Sequence, residues 1–157
     1  MIRIIAIGKN KDHSLQALEE EYLKRLSAFC KVEVVQVKDE ADVHAERPGQ
    51  ARAIKEKEGV RVLGKLKADD FVILLDLHGQ MWSSEQFAEK MQKWQTSHAS
   101  LVFVIAGSLG PSEALVQRAD VRWKLSDLTF THLMTRVLVL EQIYRSFMIN
   151  AGRNYHK

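Results

Sequence analysis

Two five-residue runs contain only apolar side chains: Phe71-Val72-Ile73-Leu74-Leu75 and Leu101-Val102-Phe103-Val104-Ile105. A strand with one wet face alternates apolar and polar residues, so a strand apolar at every position has both faces covered. The runs are short and rich in β-branched and aromatic residues, which favours strand over buried helix. Asp76 follows the first run, and His78-Gly79 is expected to turn the chain. The second run ends in Ala106-Gly107-Ser108-Leu109-Gly110. Strands covered on both faces belong to parallel sheets with helices packed above and below.

The rest of the chain supplies those helices and further strands. Ile2–Ile7 reads as a strand closed by Gly8. Leu15, Leu18, Tyr22, Leu26 and Phe29 fall at helical spacing, with Asp12 or Ser14 as the cap. Val32–Val37 is a second strand, Lys38–Pro48 a polar loop, and Gln50–Leu66 a charged helix with Ile54, Val62, Leu63 and Leu66 as its thin apolar stripe. Ser83 with Gln86 forms a capping box for a helix to about Thr96. Pro111-Ser112-Glu113 opens a short helix, and a weaker strand lies near Arg122–Leu125. A strong helix starts at His132 or Leu133 and runs to about Asn150, before the tail Ala151–Lys157. This alternation predicts an α/β fold with a mostly parallel sheet and helices on both faces. No linker or internal repeat divides it, so residues 1–157 are expected to form one domain.

Composition narrows the function classes. A 46% hydrophobic content with two prolines excludes a disordered or collagen-like chain. The single cysteine, Cys30, makes neither an internal disulfide nor a multi-cysteine metal site. No apolar run approaches the roughly 20 residues of a spanning helix, so no membrane partner is expected. Met1–Gly8 reads as a strand and not as a signal peptide, since no apolar h-region or small-residue cleavage site follows. A reducing, cytoplasmic setting is the expectation. The net charge of +3 is unevenly spread: residues 1–117 hold 16 Lys+Arg against 17 Asp+Glu, and residues 118–157 hold seven against three. A polyanionic partner would therefore be sought at the C-terminal end.

Parallel sheets hold ligands beyond the carboxyl ends of their strands. Three loops take that position: Leu75–Gly79, Ile105–Gly110 and Leu125–His132. Gly107 and Gly110 allow close backbone approach or positive φ ahead of a helix N-terminus, but the loop is neither a Walker A motif nor G-x-G-x-x-G. The third loop, with hydroxyls at Ser126 and Thr129, could hold a purine edge through its main chain. It could equally be a connection capped by Thr131. The six histidines are scattered without metal-ligand spacing, so no metal is expected. No G-x-S-x-G elbow supports a serine hydrolase. Tyr155 and His156 could stack on a base and move a proton, or Tyr155 could pack as a lid on the core.

The same residues carry a family resemblance over essentially the whole chain. It rests on Ile7-Gly8-Lys9, Lys55-Glu56-Lys57-Glu58-Gly59, Leu75-Asp76 with Gly79, and the Ile105–Gly110 loop. It continues through Ser126, Thr129-Phe130, His132, Arg136-Val137, Glu141-Gln142, Tyr144-Arg145 and Tyr155-His156-Lys157. In order and spacing these resemble the bacterial 23S rRNA pseudouridine N3-methyltransferases (the RlmH family), a minimal branch of the SPOUT methyltransferases. The resemblance implies a C-terminal trefoil knot, bent S-adenosylmethionine as cofactor, and a homodimer with its active site near the subunit interface. It also implies a large-subunit rRNA pseudouridine on the assembled ribosome as substrate.

By position, Leu75, Ala106, Gly107, Gly110, Leu125, Ser126, Asp127, Leu128, Thr129 and Phe130 should bind the cofactor. His156, His132, Arg136 and Tyr155 should serve the substrate side, with His156 the first choice of general base and His132 the second. Arg136, Arg145 and Arg153 are expected at phosphates. Ala106 stands where the family has the first glycine of a pair, and Thr131 where it often has proline. A non-catalytic ribosome- or RNA-binding domain and a tRNA methyltransferase are the alternatives. The last helix, apolar around much of its circumference, is expected either to join a dimer interface or to be buried centrally within one subunit.

Overall fold

The computed structural model describes residues 1–40 and 47–157. The middle of the expected Lys38–Pro48 loop lies outside the described residues. Five strands, β1 (Ile2–Ile7), β2 (Val32–Val37), β3 (Phe71–Gln80), β4 (Leu101–Ile105) and β5 (Val121–Trp123), alternate with five helices. The helices are α1 (His13–Leu26), α2 (Pro48–Leu63), α3 (Ser84–Ser97), α4 (Glu113–Arg118) and α5 (His132–Asn150). All strand pairs are parallel, in the order β2-β1-β4-β3-β5.

This order fixes where the helices lie. The β1→β2 and β3→β4 connections step one way along the sheet, and β2→β3 and β4→β5 step the other way. Right-handed crossovers then put α1 and α3 on one face, and α2 and α4 on the opposite face. The two cores follow from strand periodicity. Ile4, Ile73, Leu75, Leu101 and Phe103 point to the α1/α3 side. Ile5, Val72, Leu74, Val102 and Val104 point to the α2/α4 side with Val62 and Leu115. The apolar runs are thus two alternating faces, both buried. On the first side Phe87 stacks on Trp123 with ring centroids 4.4 Å apart. Helix α5 lies between α1 and α3 and buries Val137, Val139, Leu140 and Ile143. That central position accounts for these four, whereas Leu133, Leu138, Phe147 and Ile149 are half-buried and Met134 is exposed.

Local chemistry sets the helix starts. Asp12 accepts the Leu15 N–H at 3.1 Å, Ser112 the Leu115 N–H at 3.3 Å, and Thr131 the Met134 N–H at 3.3 Å. Ser83 and Gln86 make the expected reciprocal box. Pro48 begins α2, two residues earlier than the sequence suggests.

Two strand boundaries differ from the sequence reading. His78-Gly79 is no turn: β3 continues to Gln80, with an irregularity that sets both Leu75 and Gln80 against Trp123. Polar residues in this stretch conceal the strand, because the partner of Asp76 is distant in sequence. The Asp76 carboxylate accepts the His78 N–H at 2.9 Å and pairs with Arg122 Nε at 2.8 Å. The last strand covers Val121–Trp123 and leaves Leu125 in the following loop.

Gly79 is required by close approach. A Cβ there would lie 2.6 Å from the Arg122 carbonyl carbon and oxygen. Gly79→Ala is therefore expected to cost about 1–3 kcal/mol as β3 and β5 separate. Urea unfolding measures this, and an unchanged midpoint would contradict the packing.

Candidate functional site

The three loops converge beyond the carboxyl ends of β3, β4 and β5 on one cavity of about 770 Å³. That is within the roughly 300–1,000 Å³ of small-molecule sites. Leu75–His78, Ile105–Pro111, Arg122–Ser126 and Leu128–Thr131 form most of the wall, with Lys55 of α2, Glu113 and Val116 of α4, and His132 and Thr135 of α5. Nine of the ten residues expected at the cofactor line it: Leu75, Ala106, Gly107, Gly110, Leu125, Ser126, Leu128, Thr129 and Phe130. Asp127 does not. Its side chain is 79% exposed and pairs with Lys124 at 2.7 Å, in a turn where Ser126 Oγ accepts the Leu128 N–H. The sequence could place the loop but not distinguish its inward from its outward residues.

The β4 loop is shaped by Gly110, whose φ of 89° is left-handed and whose N–H closes a turn on the Gly107 carbonyl at 3.0 Å. Ala106 fits where a glycine was expected, because no described residue other than glycine has positive φ. Thr131 has φ −61°, an angle proline would also hold, and adds the cap to Met134. Neither departure strains the backbone.

A smaller cavity of about 210 Å³ adjoins the first through Gly107, Ser108, Leu109 and His132. Asp39, Glu40 and Glu58 line its acidic side. Glu58, with no role assigned from sequence, is buried at the back of the β4 loop. A Cβ on Gly107 would come within 3.1 Å of its carboxylate. Burial pushes the Glu58 carboxyl up, against the Glu40 N–H that it accepts at 3.0 Å, and Asp39 adds to the rise. His132 is held below the usual imidazole range by burial and by Arg136, so it is neutral at neutral pH. The signal for Glu58 was the charged Lys55–Gly59 motif. Helical spacing turns Lys55 to the large cavity and Glu58 to the small one.

Arg136 does not reach the cavity wall. It is 1% exposed, and its guanidinium donates to the carbonyls of Ile7 and Gly8 at 3.2 and 2.7 Å and to Gln36 Oε1 at 3.0 Å. It ties the second turn of α5 to the ends of β1 and β2 and has no surface left for phosphate. Arginine type and position suggest RNA, but burial makes this residue a positioning group.

Tyr155 and His156 also lie away from the cavity lining, packed on the α1/α3/α5 layer. The Tyr155 ring meets Tyr144 edge-on at 4.9 Å, and its hydroxyl donates to Glu141 at 3.1 Å. Burial pushes the Tyr155 phenol well above its ordinary range, with Tyr22 and Glu141 adding to the rise. His156 lies between Arg145 at 3.1 Å and Glu85 at 2.6 Å. Arg145 is also bound by Glu141, whereas Arg153 is exposed and lies over the Phe29 ring. No group of three or more metal-ligating side chains occurs among the described residues.

Two measurements check these assignments. Arg136→Ala leaves two carbonyls without their donor and deprives the buried Glu19, whose carboxyl feels the Arg136 charge, of its cation; it is expected to cost about 3–5 kcal/mol of unfolding free energy. A loss below 1 kcal/mol, a small effect for a buried ion, would contradict its role. For Glu58, the folded protein holds a proton that the unfolded chain has released between the ordinary carboxyl range and the raised value. Stability should therefore fall as pH rises through that window. Burial raises the Glu19 carboxyl as well, so Glu58→Gln is expected to shrink this fall rather than abolish it, and equal declines in both proteins would exclude Glu58 as a source.

The geometry agrees with similarity to known proteins. The profile of a family described as predicted SPOUT methyltransferase matches residues 1–156. The ribosomal RNA large subunit methyltransferase H of Latilactobacillus sakei is 43% identical over 157 residues, covering 99% of both chains. The protein of the same name from Clostridium botulinum strain Okra is 42% identical, with the same coverage. A solved structure, a probable methylase family protein from Haemophilus influenzae, shares the fold with a TM-score of 0.54 at 14% identity. It covers 99% of this chain and 70% of its own. An all-parallel α/β sheet, three converging carboxyl-end loops and a full-length family match place this chain in the SPOUT methyltransferase family.

Proposed function

We propose that this single-domain protein methylates N3 of a pseudouridine in large-subunit (23S) rRNA of the assembled ribosome, using S-adenosylmethionine and acting as a cytoplasmic homodimer. The observation that carries the reading is the convergence of three loops on one cavity in a chain with full-length rRNA methyltransferase relatives. The expected trefoil knot belongs to the same proposal. Among the described residues no helix is long and apolar enough to cross a membrane.

The cavity's chemistry fits the cofactor. Leu75, Leu125, Leu128, Phe130 and Val116 offer apolar walls for an adenosine, and the glycine loop and Ser126–Phe130 offer main-chain groups at its edge. Glu113 supplies a carboxylate on the same wall, suited to a cationic ligand. S-adenosylmethionine, when bound, supplies an electrophilic methyl group and needs mainly in-line positioning from the protein. The imide N3 of the base is protonated at neutral pH and needs a proton acceptor. His156 fills that role by residue type, while neutral His132 on the cavity wall is the second choice.

The homodimer follows from separation within one subunit. The tail's Tyr155 and His156 contact α3 and α5 rather than the cavity lining. Leu77, Leu128 and Phe130 on the cavity wall are exposed, as are Met81 beyond β3 and Met134 in the first turn of α5. A second copy would cover apolar surface and bring a tail to the cavity.

Ribosomes lacking the modification, incubated with labelled S-adenosylmethionine, are expected to take label into large-subunit rRNA. No transfer, or transfer to tRNA alone, would overturn the proposed substrate. His156→Ala is expected to retain cofactor binding by calorimetry and lose about 10²–10⁴-fold in kcat. Sedimentation at micromolar concentration should show a dimer, and a monomer would exclude the proposed assembly.

A further inference from the structure

Both ring nitrogens of His156 are engaged by groups of fixed character. Nδ1 lies 3.1 Å from Arg145 Nη1, and Nε2 lies 2.6 Å from Glu85 Oε1. A guanidinium has donors only, so Nδ1 accepts. The ring proton is then on Nε2 and is donated to Glu85. Contacts on both sides thus select one neutral tautomer. Arg145 is fixed in turn, because Glu141 occupies its Nε and Nη2 and leaves Nη1 for the imidazole.

We propose that Glu85 is a positioning residue for methyl transfer, holding His156 as the Nε2–H tautomer and stabilising the imidazolium formed when Nδ1 takes the substrate proton. The inference rests on the reading of His156 as general base. The proton leaves N3 of the base and bonds to Nδ1, and the N–H electron pair stays on N3. Nε2–H remains on Glu85, whose carboxylate balances the new charge. Arg145 Nη1 occupies the Nδ1 lone pair in this structure, so substrate binding draws that one N–H off the ring while Glu141 keeps Nε and Nη2.

The surroundings support a specific role for Glu85. It is the charged group of α3 that faces the ring. From α5 come Arg145 and Glu141, from the tail Tyr155 and the adjacent Lys157, and Tyr22 of α1 lies behind Tyr155. The His156 hydrogen bond holds the Glu85 carboxyl below the usual range. The Glu85 side chain is 63% exposed and the Ser83–Gln86 box caps its helix independently, so replacing Glu85 should leave the fold intact.

The test uses the full-length protein on ribosomes lacking the modification. Glu85→Gln keeps an acceptor for Nε2–H but removes the charge. It is expected to lower kcat about tenfold, with KM for both substrates unchanged. The acidic limb of the kcat profile should move to lower pH, because the imidazolium loses its counter-charge. Glu85→Asp should recover part of the rate. Wild-type kcat and an unmoved limb in both Glu85→Gln and Glu85→Ala would overturn the proposal. If His156→Ala is inactive at the same time, the base reading survives that failure; if His156→Ala is fully active, the base reading itself fails. Nitrogen-15 shifts of His156 in the wild-type protein give an activity-independent readout. They should report Nε2–H, and an Nδ1–H or doubly protonated ring would also overturn the proposal.

Discussion

The guanidinium of Arg136 sits where segments remote in sequence meet: the carboxyl ends of β1 and β2 and the second turn of α5. Strand ends leave carbonyls without partners, and a buried carbonyl without a donor is costly. One arginine supplies donors to two such carbonyls and to Gln36. In doing so it fixes the start of α5 against the sheet. His132 is one turn earlier, and the Leu125–Thr131 loop ends at that point. The cavity wall between β5 and α5 therefore depends on a cation that never touches the cavity. Burial, with the same charge beside it, holds the His132 imidazole below its usual range. One buried group thereby sets the position of its neighbour and adds to the shift of its ionisation.

Much of this was legible in the sequence because it obeys local rules. Phe71–Leu75 and Leu101–Ile105 could be read as doubly buried strands from composition alone, and both are central in the sheet. Ser83, Gln86, Ser112 and Thr131 announce helix starts through side-chain acceptors within three residues, which needs no tertiary information. The three loops were legible for a topological reason: carboxyl ends of parallel strands share one edge. What was hidden depended on distant partners. Asp76 and His78 look like a turn until Arg122, on another strand, is seen to neutralise Asp76 and let β3 continue. Arg136 resembles a surface charge until the β1 carbonyls are placed beside it. Glu58 lies in a motif dense with charges, and the approach of Gly107 explains why this one is buried.

Helix α5 connects the two halves of the proposed chemistry. Its first turn contributes His132 and Thr135 to the cavity. Its middle presents Glu141, Tyr144 and Arg145, which hold the returning tail. About ten residues separate Thr135 from Arg145, so a rise of 1.5 Å per residue puts the two regions roughly 15 Å apart along one rigid element. A rigid spacer cannot bring its two ends together, and the tail spends its hydrogen bonds on the middle of the same helix. In the proposed chemistry a subunit thus offers a cavity and the first-choice proton acceptor, His156, but separates them. Pairing two copies would solve that without any added domain, since each copy has what the other's cavity lacks. Of the basic excess in residues 118–157, Arg136 is spent inside the fold and Arg145 on Glu141, which leaves Arg153 and Lys157 as the exposed cations that the tail would bring to a polyanionic substrate.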